Sequence, residues 1–248
     1  MGKVIAVASG KGGTGKTTTV AAVSSCLAAL GYKTLCIDFD LRLRNLDLAL
    51  CMTEFTVADF MDVVEARLDL MEACHESPHI PGLFFLAAPG HALSLEESAL
   101  PDVIPMFAEV RRVFDYCIID CPSGVGAGFL LAHADADMSI IVTTGELPAM
   151  RDAQVTAGVI RDMGVKELRL LVNRVVSKNI RWLHTTVDDI IDSIGVQLIG
   201  VIPEDKAVFH ALHDTVPLIL HRSRYSAYDF LDVARRIAGE DIPMQRWR

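Results

Sequence analysis

Between a short apolar run, Val4 to Ala8, and the Ala-, Val- and Leu-rich segment Thr18 to Leu30 lies Ser9-Gly10-Lys11-Gly12-Gly13-Thr14-Gly15-Lys16-Thr17-Thr18. From Gly10 to Thr17 this run fits the phosphate-loop pattern G-x-x-x-x-G-K-[ST]. The apolar run reads as a buried strand and the following segment as a helix, which is the context the pattern needs. Closely spaced glycines let consecutive backbone N–H groups turn inward onto phosphate oxygens. The helix that starts there adds its partial positive end. Lys16 is placed to reach β- and γ-phosphates, and the Thr17 hydroxyl to ligate Mg²⁺.

The rest of the chain alternates strand-like and helix-like segments. Strand-like runs are Val4–Ala8, Thr34–Asp38, Leu83–Ala87, Tyr116–Ile119, Met138–Thr143, Arg169–Asn173 and Val196–Ile202. They are short, aliphatic or β-branched, and mostly apolar on both faces, as buried parallel strands are. Helical patterns are expected over Phe55–Ala66, Leu95–Phe114, Gly126–Ala132, Pro148–Met163, Arg181–Ile194, Lys206–His213 and Tyr225–Ala238, with Pro101 and Pro105 kinking or breaking the second. Repeated βα units imply right-handed crossovers and an α/β fold, a mostly parallel, doubly wound sheet with helices on both faces. Ligands in such sheets bind at the carboxyl ends of the strands. With 248 residues, 51% of them hydrophobic, and no Pro/Gly/Ser-rich linker or charge block, residues 1–248 read as one domain with a tail from about residue 239.

Composition narrows the partners. A net charge of −9 argues against a dedicated nucleic-acid binder. No apolar run approaches membrane-spanning length, and the N-terminus enters a strand at once, leaving no room for a signal peptide. Met1-Gly2 is not a myristoylation start, because Ala6 stands where Ser or Thr is wanted. Cys26, Cys36, Cys51, Cys74, Cys117 and Cys121 form no C-x-x-C and read as reduced core or near-core residues of a cytoplasmic protein. Cys117 and Cys121 are too far apart on an extended strand to pair. Cys74, His75 and His79 sit in a loop-like stretch without a fourth ligand and are expected at the surface.

Three further motifs fall at strand ends. Ile37-Asp38-Phe39-Asp40 closes the second strand, and a carboxylate there can orient or deprotonate an attacking water. Ile118-Ile119-Asp120-Cys121-Pro122-Ser123-Gly124 is an apolar strand ending in Asp, then Pro and Gly. Leu171-Val172-Asn173-Arg174 and Ile202-Pro203-Glu204-Asp205 end two more strands. Arg151-Asp152 opens a helix, either as solvated charges or as an interface.

Lys-Gly-Gly-Thr-Gly-Lys-Thr, with a second lysine at Lys11, resembles the deviant phosphate loop of the MinD/ParA family of dimerising ATPases. The resemblance spans Lys3 to about Ala238 and is nearest to the MinD branch of septum site-determining proteins. It implies that ATP and Mg²⁺ bind at Gly10, Lys11, Gly12, Gly13, Thr14, Gly15, Lys16, Thr17 and Thr18. It further implies that Lys11 crosses an ATP-dependent homodimer interface to the partner's phosphates, as an arginine finger does. By resemblance Asp40 orients the attacking water near Mg²⁺, Asp38 supports loop geometry or the outer shell of Mg²⁺, and Asp120 is the Walker B carboxylate that holds Mg²⁺ through a water. Asn173 reads the adenine edge, and Pro203 and Glu204 lie in the loop that packs on the base. No guanine-type N-K-x-D occurs at these strand ends.

The activity implied is slow ATP hydrolysis used as a spatial-positioning switch, with regulatory partners of the MinC and MinE kind and a peripheral place on the inner face of the plasma membrane. Two departures qualify the resemblance. Arg42 stands where the family commonly has glycine. The family's C-terminal basic amphipathic anchor is not visible in Gly239-Glu240-Asp241-Ile242-Pro243-Met244-Gln245-Arg246-Trp247-Arg248, although Trp247 between two arginines can touch a membrane surface. A metallocluster or metal-insertion ATPase, or a DNA-partition ATPase of the same fold, is the alternative. The first lacks a C-x-C or C-x-x-C, and the second lacks overall basic charge.

Overall fold

A computed structural model describes residues 1–41, 44–55, 58–90, 102–176, 186–222 and 225–244. Its strands are β1 (Lys3–Ala8), β2 (Thr34–Asp38), β3 (His75–Glu76), β4 (Leu83–Leu86), β5 (Tyr116–Asp120), β6 (Met138–Thr143), β7 (Glu167–Val175) and β8 (Leu198–Pro203). The α-helices are α1 (Lys16–Ala29), α2 (Leu46–Leu50), α3 (Phe60–Val64), α4 (Leu70–Ala73), α5 (Ile104–Val113), α6 (Ala127–His133), α7 (Leu147–Asp162), α8 (Val187–Ile194), α9 (Lys206–His213) and α10 (Tyr225–Ile237). All eight strands join one sheet in the order β3-β4-β2-β5-β1-β6-β7-β8, parallel except for the short edge strand β3, which runs antiparallel to β4.

The alternation of side chains along β1 divides the core into two layers. Val4, Ala6 and Ala8 face the layer that contains Phe39, Phe60, Phe107 and Ile160. Ile5 and Val7 face the layer built from α1 and α10, with Val20, Val23, Leu27, Phe230 and Val233. Helix α1 is buried on nearly every side because it packs against the sheet, α2 and α10 together, and a helix apolar all round belongs in such a position.

The topology positions the site through register. β1 lies at the centre, with β5 on one side and β6 on the other. Val7 pairs with Asp120, and Asp120 pairs with Asp38 across the next strand. The two strand-end aspartates and the strand that feeds the glycine-rich loop therefore end side by side, at the carboxyl edge where the chain reverses direction across the sheet.

Several expectations need correction. The helix expected over Phe55–Ala66 is instead a 3₁₀ turn at Thr53–Phe55 and a short α3 that starts at a capping box, Asp59 with Asp62. The capping aspartate stops the helix from extending backward, because its own φ is extended. Pro105 does not break a helix. It sits in the first turn of α5, where a missing N–H costs nothing. The upstream part of that expected helix, with Pro101, lies outside the described residues, as do Arg42, 181–185 and the tail from Gln245.

Strand β7 continues past Asn173 to Val175, and the last sheet strand runs Leu198–Pro203 rather than from Val196. Short elements without a full period escaped the sequence reading: β3, α2 and α4. Cys74, between α4 and β3 in the chain, is buried in the core rather than exposed, while His79 is at the surface.

Candidate functional site

The glycine-rich loop is shaped by its neighbours as well as by its own sequence. A Cβ on Gly10 would lie 2.4 Å from the Asp152 carbonyl oxygen, so the start of the loop presses directly against the backbone of α7. Gly13 and Gly15 take φ of 83° and 92°, the left-handed region that favours glycine. Gly15 caps α1, which begins at Lys16. The Ser9 hydroxyl donates to the Lys11 carbonyl at 3.0 Å, and the Gly124 N–H donates to the Ser9 carbonyl at 3.4 Å. That second bond ties the Pro122–Gly124 turn after β5 to the loop.

Lys16 and Thr17 converge on one carboxylate. Lys16 Nζ lies 3.4 Å from Asp120 Oδ1, and the Thr17 hydroxyl donates to Asp120 Oδ2 at 2.6 Å. Lys16 and Asp120 are both buried. Burial pushes the Asp120 carboxyl upward, and Lys16 and the Thr17 hydrogen bond pull it back. The half-buried Thr17 hydroxyl and the buried Asp120 carboxylate are hard oxygen ligands of the kind that suit Mg²⁺, and the Lys16 ammonium beside them suits a phosphate. The Thr14 hydroxyl is buried and lacks a hydrogen-bond partner among the described residues, which suits a loop that closes around a polar ligand.

Asp38 and Asp40 have distinct environments. Asp38 is fully buried and accepts the Asp40 N–H at 2.8 Å and the Leu46 N–H at 3.2 Å. It pins the segment between β2 and α2, the loop-supporting alternative of the two readings made from sequence. Burial, then the charge of Asp120, push its carboxyl from 3.8 up to about 7, against the pull of the two N–H donors. Asp40 is half-buried, and its charge adds to the upward push on both Asp38 and Asp120.

Around the rim, Lys11 is exposed, with its ammonium 3.6 Å from the exposed Glu146 at the start of α7. Arg151 is exposed as well, whereas Asp152 is the residue whose backbone packs on Gly10. Thr18 follows Thr17 into α1 and is half-buried. Asn173 is buried, and its Nδ2 donates to the Thr14 carbonyl at 2.8 Å, a support of the phosphate loop that sequence reasoning did not find. The bond uses one of the two amide hydrogens. Pro203 is half-buried at the end of β8, and Glu204 is exposed and paired with Arg174, Nε to Oε2 at 2.8 Å. The sequence-predicted residues from the loop, β2, β5, β7 and β8 thus share one edge of the sheet. Glu146 joins them without any motif, and Asp152 and Arg174 join them through contacts with the loop that their motifs did not indicate.

This geometry is that of a P-loop nucleotide-binding protein, and comparison with known proteins agrees. Residues 5–218 match the CobQ/CobB/MinD/ParA nucleotide binding domain, and the chain belongs to that ATPase family. Within the family it resembles septum site-determining MinD proteins. It is 34% identical over 248 residues to MinD of Bacillus subtilis (strain 168), covering 99% of this chain and 92% of that protein. It is 36% identical over 245 residues to MinD of Synechocystis sp., covering 98% and 92%.

Among solved structures it matches the MinC:MinD cell division protein complex of Aquifex aeolicus at TM-score 0.88 and 31% identity, covering 99% of both chains. It matches Pyrococcus horikoshii MinD complexed with Mg-ADP at TM-score 0.82 and 26% identity, covering 98% of this chain and 100% of that one. Among the described residues no helix is long and apolar enough to cross a membrane.

Proposed function

We propose that this chain is a Mg-ATP-dependent switch for placing the division site, closing into a dimer on ATP and reopening after hydrolysis. The observation that carries the reading is the convergence of Lys16 and the Thr17 hydroxyl on Asp120 at the mouth of the glycine-rich loop. In this reading the N–H groups from Gly10 to Thr18 cradle the phosphates and Lys16 neutralises the transferred charge. Thr17 and Asp120 hold Mg²⁺, with Asp40 beside it, and the ion neutralises phosphate oxygens when bound. Asp40 orients the attacking water. Asn173, Pro203 and Glu204 border the adenine.

Lys11 reaches the partner subunit's phosphates, so closure depends on the nucleotide. Its exposure, in an ion pair worth little at the surface, leaves it available for that move. The relatives' names support division-site selection and a MinC-like partner; peripheral attachment to the inner face of the plasma membrane is part of the reading that rests on the family resemblance alone.

Steady-state hydrolysis of Mg-ATP tests the core of the reading. Thr17→Val removes the hydroxyl from Asp120 at nearly constant volume and is expected to lower the rate by roughly two orders of magnitude. Thr17→Ser, which keeps the hydroxyl, retains most of it. A Thr17→Val protein hydrolysing at the wild-type rate would contradict the assignment.

A further inference from the structure

Successive residues of a strand point to opposite faces of a sheet, yet Asn173 and Arg174 both reach the phosphate loop. Asn173 Nδ2 donates to the Thr14 carbonyl at 2.8 Å, and Arg174 Nη1 donates to the Gly13 carbonyl at 3.3 Å. The cause is local. The β7–β8 register shifts between Val172 and Val175, and Arg174 sits inside that irregularity with φ of 56°. Non-glycine residues seldom adopt this conformation, and it persists where surrounding structure enforces it. A bulge re-aims side chains in this way.

The far side of the Arg174 guanidinium is also fixed. Nε and Nη2 lie 2.8 and 3.4 Å from the two carboxylate oxygens of Glu204. The Glu204 N–H in turn donates to the Val175 carbonyl at 3.0 Å. A planar guanidinium carries five donors on three nitrogens in a fixed fork, so it can hold a carboxylate on one side and a carbonyl on the other; a lysine has its three donors on a single nitrogen and lacks that span.

In a trans peptide the carbonyl and the following N–H point in opposite directions. Holding the Gly13 and Thr14 carbonyls toward β7 therefore turns the N–H groups of Thr14 and Gly15 the other way, into the concavity where a phosphate nest needs them. We propose that Arg174 is a positioning residue: anchored by Glu204, it acts with Asn173 to set two successive peptide planes of the phosphate loop and so preorganises the loop for a polyphosphate. The inference rests on the reading that the loop binds Mg-ATP. It separates Arg174 from the base-facing role that its place between Asn173 and the Pro203-Glu204 loop would suggest.

The test is calorimetric titration of the full chain with Mg-ATP and with Mg-tripolyphosphate, a probe that has no base or ribose. Arg174→Gly is the informative variant, because glycine accepts the left-handed backbone and only the side chain is lost. Arg174→Gly and Arg174→Ala are each expected to weaken both ligands by about tenfold, by equal factors. KM for ATP rises to match, while the rate at saturation changes less than about twofold. Arg174→Lys does not restore affinity, and for tripolyphosphate, which lacks the adenine that Glu204 borders, Arg174→Ala with Glu204→Gln is no weaker than Arg174→Ala alone, since the two residues act as one unit on the loop.

Loss of affinity for ATP with tripolyphosphate unaffected would overturn the proposal and assign Arg174 to the base. Unchanged affinity for both ligands, or a fall in saturated rate at constant KM, would also overturn it. If the wild-type chain binds neither ligand, the ATP reading itself falls and the inference with it. If the wild type binds and the variants match it, only the inference falls.

Discussion

Asp38 is the side chain whose environment departs furthest from its motif. The sequence presents two aspartates at the end of β2, and nothing in Ile37-Asp38-Phe39-Asp40 says which is solvated. The structure buries Asp38 completely and gives it two backbone donors, while Asp40 faces the phosphate loop's edge of the sheet half-exposed. The Asp38 carboxyl is raised from 3.8 to about 7, first by burial and then by Asp120. A raised acid keeps its proton in the folded state while the unfolded chain has already released it. Its contribution to stability is thus complete below the unfolded value near 4 and is lost as pH rises through about 7. Asp120 and Asp229 shift in the same direction, so the difference between wild type and Asp38→Asn isolates this one group. In nucleotide-free protein, the wild-type melting temperature is expected to fall more steeply than that of Asp38→Asn from about pH 5 to about pH 8. Parallel profiles would show that Asp38 ionises as an ordinary carboxyl.

Helices and strands were legible where their pattern is long or their neighbours are alike. β2, β6 and α9 have the bounds their residues suggest, because each is a clean apolar or amphipathic run with turn residues at both ends. What could not be read is what distant chain imposes. The bulge that turns Asn173 and Arg174 together depends on pairing with β8, and the tight seat of Gly10 depends on α7 arriving from far along the sequence. The loop itself was legible because its spacing is local; Arg174 and Asp152 were visible only as neighbours of Asn173 and Arg151, and Glu146 not at all, because no spacing relates them to the loop. Element packing gives its own prediction. α10 lies so close to β8 that a Cβ on Gly200 would stand 2.4 Å from Val233 Cγ2. Gly200→Ala forces Val233 off its rotamer or the helix off the sheet and is expected to destabilise the fold by about 1–3 kcal/mol in urea unfolding. An unchanged midpoint would mean that α10 shifts freely.

Across the whole molecule, one sheet gathers the chemistry. Its order places β1 between β5 and β6, and its register aligns Val7, Asp120 and Asp38 in adjacent strands, so that the phosphate loop, the Asp120 carboxylate proposed to hold Mg²⁺ and the loop bearing Asp40 meet at a single edge. Lys11 is on the rim of that edge, exposed and lightly held by Glu146. In the proposed function this edge holds the phosphates and Lys11 is offered to a second subunit. The direct measurement is light scattering of Asp40→Ala, chosen to bind ATP without consuming it, in Mg-ATP and in Mg-ADP. The expected mass is that of two chains with Mg-ATP, of one with Mg-ADP, and of one under both conditions when Lys11→Ala is added. A single-chain mass in Mg-ATP, at concentrations where calorimetry shows the site filled, would contradict it.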